Sequence, residues 1–168
     1  MKCTVQVAEQ KGWMDMQVIK YVFQRHGDER GQLVALEELK DIPFSIRRVY
    51  YMYETGDGVR RGGHAHKSLE QVLICIHGGC RILLDNGKEK KVIDLDKPYE
   101  GLYVSNAMWR EMFDFTPDAV LMVLASEYYD GQDYIRNYDE FLKSVHKAGT
   151  DPADKQAGER GYHEREKG

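Results

Sequence analysis

The segment RRGGHAHKSLE, residues 60–70, carries His64 and His66 two positions apart, with Glu70 four residues on. On a strand, residues two apart project from the same face, so both imidazoles would meet one ligand while Ala65 turns away. Glu70 keeps that face if no bulge intervenes, because its offset is even. Three readings suit the trio. Two imidazoles and a carboxylate can hold a divalent metal. An imidazole pair, poised near neutral pH, can take a proton from one carbon and return it to the next. Alternatively, the histidines are solvated beside a glycine turn and have no role. Glu70 could orient an imidazole or satisfy a backbone donor, and sequence does not choose between these.

The rest of the chain must position that segment. Its 168 residues suit one domain with a single core, and 42% apolar with 31% charged residues describes a globular body. A net charge of −4 gives no bulk basicity for nucleic acid or an anionic membrane. No apolar run reaches membrane-spanning length, and the start MKCTVQVAEQKGW lacks a signal-peptide core, so a cytoplasmic protein is expected. Cys3, Cys75 and Cys80 are too few for a disulfide framework.

Short strands with turns between them fill the middle of the sequence. QVIKYVF (17–23), QLVALEE (32–38) and SIRRVYYMYE (45–54) are strand candidates, and QVLICI (71–76) reads as a strand buried on both faces. RILLDNGKEKKVIDL (81–95) is a hairpin whose Asp85-Asn86-Gly87 tip accepts positive φ. GLYVS (101–105), REMFDF (110–115) and AVLMVLAS (119–126) complete the series. Asp133 is positioned to cap a closing helix, DYIRNYDEFLKSVHK, whose Tyr134 and Tyr138 read as packing. The expectation is all-β: a double-sheet jelly roll with one C-terminal α-helix. Residues 1–16 read as a flexible extension, 17–147 as the single domain and 148–168 as a polar, disordered tail.

The spacing Gly58-x5-His64-x-His66-x3-Glu70 resembles the first motif of the cupin superfamily, which agrees with the all-β reading. Where a metal-binding cupin supplies a further histidine from a later strand, this chain has Arg110. A guanidinium is permanently charged, offers no lone pair and repels a divalent cation, which weighs against the metal. More narrowly, RGGHAHKSLEQVL, DERGQLVALEE, DIPFSIRRVYYMYET, GLYVSNAMWREM, VLMVLASEYYD and DYIRNYDEF resemble the nucleotide-sugar 3,4-ketoisomerases, a metal-independent cupin family. The resemblance runs from Asp28 to about Phe141. It implies action on dTDP-4-keto-6-deoxyglucose in making 3-amino-3,6-dideoxyhexoses, with no metal and no cofactor.

By that resemblance, His66 would shuttle the proton between C3 and C4 and His64 would be its partner acid or oxyanion donor, or the two roles would be exchanged. Arg30, Arg48 and Arg61 are candidates for the diphosphate, since arginine's fork suits phosphate. The family favours Arg48 with Tyr50, although strand alternation alone does not say which face of SIRRVYY lines the barrel. Tyr103 and Trp109 could wall the pocket or stack on thymine, a role that competes with simple packing. The family varies at the positions matched by Arg30 and Arg110, which would bear on the C4 face. The combination here copies neither subgroup, so a gluco or galacto product stays open. A homodimer is expected, with QVIKYVF as the edge for pairing, and an aminotransferase is the expected pathway partner. The rivals are a 3,5-epimerase of the same nucleotide sugars, a metal-dependent cupin and a non-catalytic sugar-binding cupin.

Overall fold

The structure is a computed structural model, and it describes residues 4–7 and 16–148. The described residues form thirteen strands, a 3-10 turn and one helix in chain order. They are β1 (Thr4–Val7), β2 (Ile19–Val22), β3 (Arg25–Asp28), β4 (Gly31–Val34), β5 (Arg48–Met52), β6 (Arg61–His66), β7 (Gln71–His77), β8 (Cys80–Asp85), β9 (Lys90–Leu95), β10 (Glu100–Val104), β11 (Trp109–Phe113), β12 (Val120–Ala125), a 3-10 turn (Gly131–Asp133), β13 (Tyr134–Ile135) and α1 (Tyr138–Ala148). One six-stranded sheet runs β1-β2-β10-β7-β12-β5 and faces a five-stranded sheet β13-β6-β11-β8-β9. This is the jelly-roll barrel with a C-terminal helix that the pattern of short strands implies.

The continuously apolar β7 sits between β10 and β12 and is covered on both faces. Leu73 and Cys75 enter the core between the sheets, while Val72 and Ile74 pack outward beneath Phe23, Ile42 and Phe44. The β8–β9 hairpin turns where expected: the Asn86 side chain accepts from the backbone N–H groups of Lys88 and Glu89 at 2.9 and 2.8 Å. Gly87 there has φ +85°, and a Cβ would lie 2.6 Å from Val145 on α1.

Three expectations change. The QVIKYVF strand is not an edge, because β1, from within the first sixteen residues, pairs antiparallel with it on one side and β10 on the other. The QLVALEE strand ends at Val34, and the chain turns where Leu39 takes φ 59° before Ile42 plugs the outer cluster. Asp133 does not cap the helix. Asn137 does so, accepting from the Glu140 N–H at 3.0 Å, and Tyr134–Ile135 instead pairs with β6. Helix α1 then seats Phe141, fully buried, against Trp109 and Tyr138 at ring distances of 5.6 and 5.7 Å. The expected tail from residue 148 onward falls outside the described side chains.

Candidate active site

The site grows from the two glycines before the histidines. β6 pairs with β11 as His64↔Arg110 and Gly62↔Glu111, so one extra residue bulges the strand between those pairs. Gly62 sits at φ +86°, where a Cβ would be 2.7 Å from the Arg110 carbonyl, so only glycine fits. Beyond the bulge, alternation resumes. Ala65 is fully buried under α1, in the cluster with Trp109, Ile135 and Phe141. His64 and His66 share the opposite face, ring centroids 4.9 Å apart and edge to face.

The two imidazoles differ in access. His64 lines a cavity of ≈ 420 Å³ together with Arg48, Tyr50, Arg61, Tyr129 and Tyr134. His66 is only 1% exposed. Its Nδ1 lies 2.8 Å from Asp133 Oδ2. Of the two, His64 is the ring that meets the cavity, while His66 is turned to Asp133. Tyr134 packs against both rings, at 4.8 Å from His64 and 4.3 Å from His66, so it belongs to the site rather than to helix packing.

Behind the pair lies Arg110, paired with His64 across the sheet and 1% exposed. It donates to the Ser105 carbonyl at 3.4 Å, while its Nε and Nη1 have no hydrogen-bond partner among the described residues. Burial lowers this guanidinium to about 10, which leaves it charged at neutral pH. Its field reaches the histidines. Burial first, then the Arg110 charge, lowers His64 to about 4. The same two causes, with His64 as a third, lower His66 to about 3 against the raising effect of Asp133. Both imidazoles are therefore neutral at pH 7 and able to accept a proton.

The face of β5 is now settled: Arg48, Tyr50 and Met52 line the cavity, while Val49 and Tyr51 point outward, 53% and 63% exposed. The Arg48 guanidinium lies 5.2 Å from the Tyr50 ring and 5.5 Å from that of Tyr129. Gln71 donates to the Tyr50 hydroxyl at 2.7 Å, which leaves the phenol's own proton free to donate.

Three expected site residues lie elsewhere in the single chain. Tyr103 faces the outer cluster, edge to face with Tyr21, and its hydroxyl donates to Glu70. Glu70 thus orients neither imidazole through a hydrogen bond among the described residues. Trp109 is 6% exposed beneath α1. Arg30 stands at the β3–β4 turn with its side chain 86% exposed, bonded through Nε to Asp28 at 3.0 Å. Among the described residues, no group of three His, Cys, Asp or Glu side chains is arranged to hold a metal ion. Sequence reasoning missed Asp133, Tyr134, Tyr129 and Gln71. Only Asp133 gave a signal, and its position before an apolar periodicity mimicked a helix cap.

Comparisons with known proteins agree on the fold and narrow the chemistry. The family model described as FdtA: WxcM-like, C-terminal matches residues 14–146. A relative from Aneurinibacillus thermoaerophilus, a TDP-4-oxo-6-deoxy-alpha-D-glucose-3,4-oxoisomerase, is 57% identical over 125 residues, covering 74% of this chain and 90% of that one. A 3,4-ketoisomerase from Helicobacter canadensis is 50% identical, with TM-score 0.74 over 76% of this chain and 96% of that one. A histidine-to-asparagine variant of the 3,4-ketoisomerase from Thermoanaerobacterium thermosaccharolyticum, solved with TDP-4-keto-6-deoxyglucose, is 46% identical, with TM-score 0.77 over 80% of this chain and 97% of that one.

Proposed function

The chain belongs to the FdtA, WxcM-like family of sugar-nucleotide 3,4-ketoisomerases, and from that premise we propose how its own residues carry the reaction. It converts a dTDP-linked 4-keto-6-deoxyglucose to the 3-keto isomer. The observation that carries the reading is an imidazole pair, His64 lining a cavity with Arg48 and Arg61 and His66 packed directly against it.

The 4-ketone acidifies the hydrogen on C3. His64 takes that proton, the C3–H electrons form a C3–C4 double bond, and the carbonyl π electrons move onto O4. Once O4 is protonated this is an enediol. A proton then returns to C4, the O3 hydroxyl proton leaves, and C3 becomes the ketone. Atoms and electrons balance within the sugar, so the rearrangement itself needs no redox partner. Arg110 sits behind the imidazoles as a buried cation and stabilises the negative charge of the enediolate. Its field also holds the free imidazoles neutral, and the arriving negative charge offsets it, raising their basicity as the reaction begins.

Arg48 and Arg61 bind the diphosphate, and the Tyr50 hydroxyl donates to a sugar or phosphate oxygen. A substrate role for Arg30 requires a second copy of the chain, since in one chain it stands off the barrel on β3–β4. A homodimer is supported by that hairpin, with Leu33 58% exposed, and by the apolar outer face bearing Val49, Tyr51 and Ile76. A 3-keto sugar is the substrate an aminotransferase needs to install a 3-amino group, which gives the next reaction class.

The test is proton NMR in D2O with dTDP-4-keto-6-deoxyglucose, run beside His64→Gln, His66→Gln and chelator-treated protein. Deuterium at C4 of a 3-keto product, lost in both variants and insensitive to chelator, is expected. Exchange at C5 as well as C3 would mean a 3,5-epimerase. Binding without exchange would mean a sugar-binding module, and loss of activity with chelator would restore the metal.

A further inference from the structure

Asp133 is held by more hydrogen bonds than its turn requires. The Asp130 side chain accepts from Gln132 N–H at 2.8 Å and so sets the 3-10 turn. The Lys67 N–H donates to the Asp133 carbonyl at 3.0 Å, and β13 begins at once with Tyr134 opposite His66. The backbone on both sides is therefore fixed. The carboxylate Oδ1 accepts from the Ser68 N–H at 2.9 Å and from the Ser68 hydroxyl at 2.7 Å. Oδ2 is left for His66 Nδ1. Burial pushes this carboxyl up, but the bonds from Ser68 and His66 outweigh it and keep the group below the ordinary carboxylate value. An ionised carboxylate only accepts. Nδ1 of His66 must therefore carry the hydrogen, and Nε2 keeps the lone pair.

We propose that Asp133 is a positioning residue for the isomerisation: anchored by Ser68, it fixes His66 as the Nδ1–H tautomer and keeps Nε2 as the proton-accepting atom beside His64. The other groups facing His66 are His64 on its own strand, Arg110 from β11 and Tyr134 from β13. None of those three is a carboxylate, and Arg110 and His64 both work against the protonated imidazole. Asp133 alone supports it, so both the tautomer of His66 and its capacity to carry a proton passed on from His64 depend on this one side chain.

The inference rests on the isomerase reading, and its test has one readout independent of catalysis. Nitrogen–proton correlation NMR on wild-type protein labelled at histidine reports the His66 tautomer directly. The Nδ1–H form is expected; the Nε2–H form overturns the proposal, whatever the enzyme's activity. Kinetics supply the second arm. Asp133→Asn should lower kcat by about 100-fold or more, the scale of a lost acid–base partner, with KM changed little and the acid limb of the kcat profile moved to lower pH. Asp133→Glu should recover part of that loss, and Ser68→Ala, which frees Oδ1 but spares the dyad, should lose less than tenfold. An Asp133→Asn protein that folds, binds dTDP and keeps wild-type kcat overturns the proposal. If Asp133→Asn fails to fold, the wild-type tautomer and the Ser68→Ala kcat decide. A protein with the expected tautomer but no isomerase activity would sink the functional reading and leave the dyad standing.

Discussion

Two arginines divide the molecule. Arg30, on β3–β4, is solvated and bonded to an aspartate two residues away. Arg110, on β11, is sealed inside the barrel with two nitrogens unpartnered among the described residues and no carboxylate bonded to it. The first arrangement asks nothing of the fold, because an exposed ion pair contributes little. The second works against folding, since a buried charge with no carboxylate bonded to it is strongly disfavoured. A position that destabilises the empty protein is evidence of chemistry rather than architecture. Near His64 and His66, that chemistry is anion stabilisation together with suppression of imidazole charge.

The largest effect that would sharpen this contrast is Arg110→Met. We expect kcat/KM to fall by about 100-fold or more, as for loss of one electrostatic stabiliser of a transition state, while the melting temperature does not fall. Unchanged activity with a lower melting temperature would make Arg110 structural and break the comparison. A second effect concerns pH. With His64 lowered to about 4, kcat/KM of the wild type should hold well below the 6.5 of a free imidazole and fall only as the pH approaches 4. In Arg110→Met that limb should move upward by part of the gap, because burial is the larger cause and remains. An acid limb near 6.5 in the wild type would contradict the buried, cation-flanked geometry.

Stability follows the same groups. Both histidines have folded values below their unfolded value of 6.5, so the unfolded chain binds more protons as pH falls. Their contribution is present above 6.5 and is lost between there and the folded values of about 4 and about 3. Urea melts from pH 7 to pH 4 should therefore show a steep loss in wild type and a shallower one in His66→Gln. The smallest effect is at the other arginine. Arg30→Ala should leave the melting temperature unchanged. If a second copy brings Arg30 to the cavity, kcat/KM will nevertheless fall, and sedimentation should then show a dimer; unchanged kinetics would confine Arg30 to the surface.

The sequence was most legible where period and turn chemistry coincide. His-x-His on one face, the apolar β7 and the Asp85-Asn86-Gly87 hairpin all depend on near neighbours. Trp109 and Arg110 were legible in principle together, since adjacent strand residues take opposite faces and only one can meet the cavity. Tyr103 follows the same rule beside the buried Leu102. Asp133 and Tyr134 were not legible. Their local pattern is that of a helix entry, and what overrides it is the pairing of a two-residue strand with β6, nearly seventy positions earlier. A contact of that span leaves no trace in local periodicity.

The sealed guanidinium also bears on how long the protein lasts. An anionic substrate bound beside Arg110 offsets its buried charge, so the folded state gains RT ln(1 + [L]/Kd) from its own substrate. An idle enzyme is then the one most often unfolded and most often met by proteases, and a working one is sheltered. Supply of the nucleotide sugar would thus bear on the amount of catalyst as well as on its flux, through a single buried side chain.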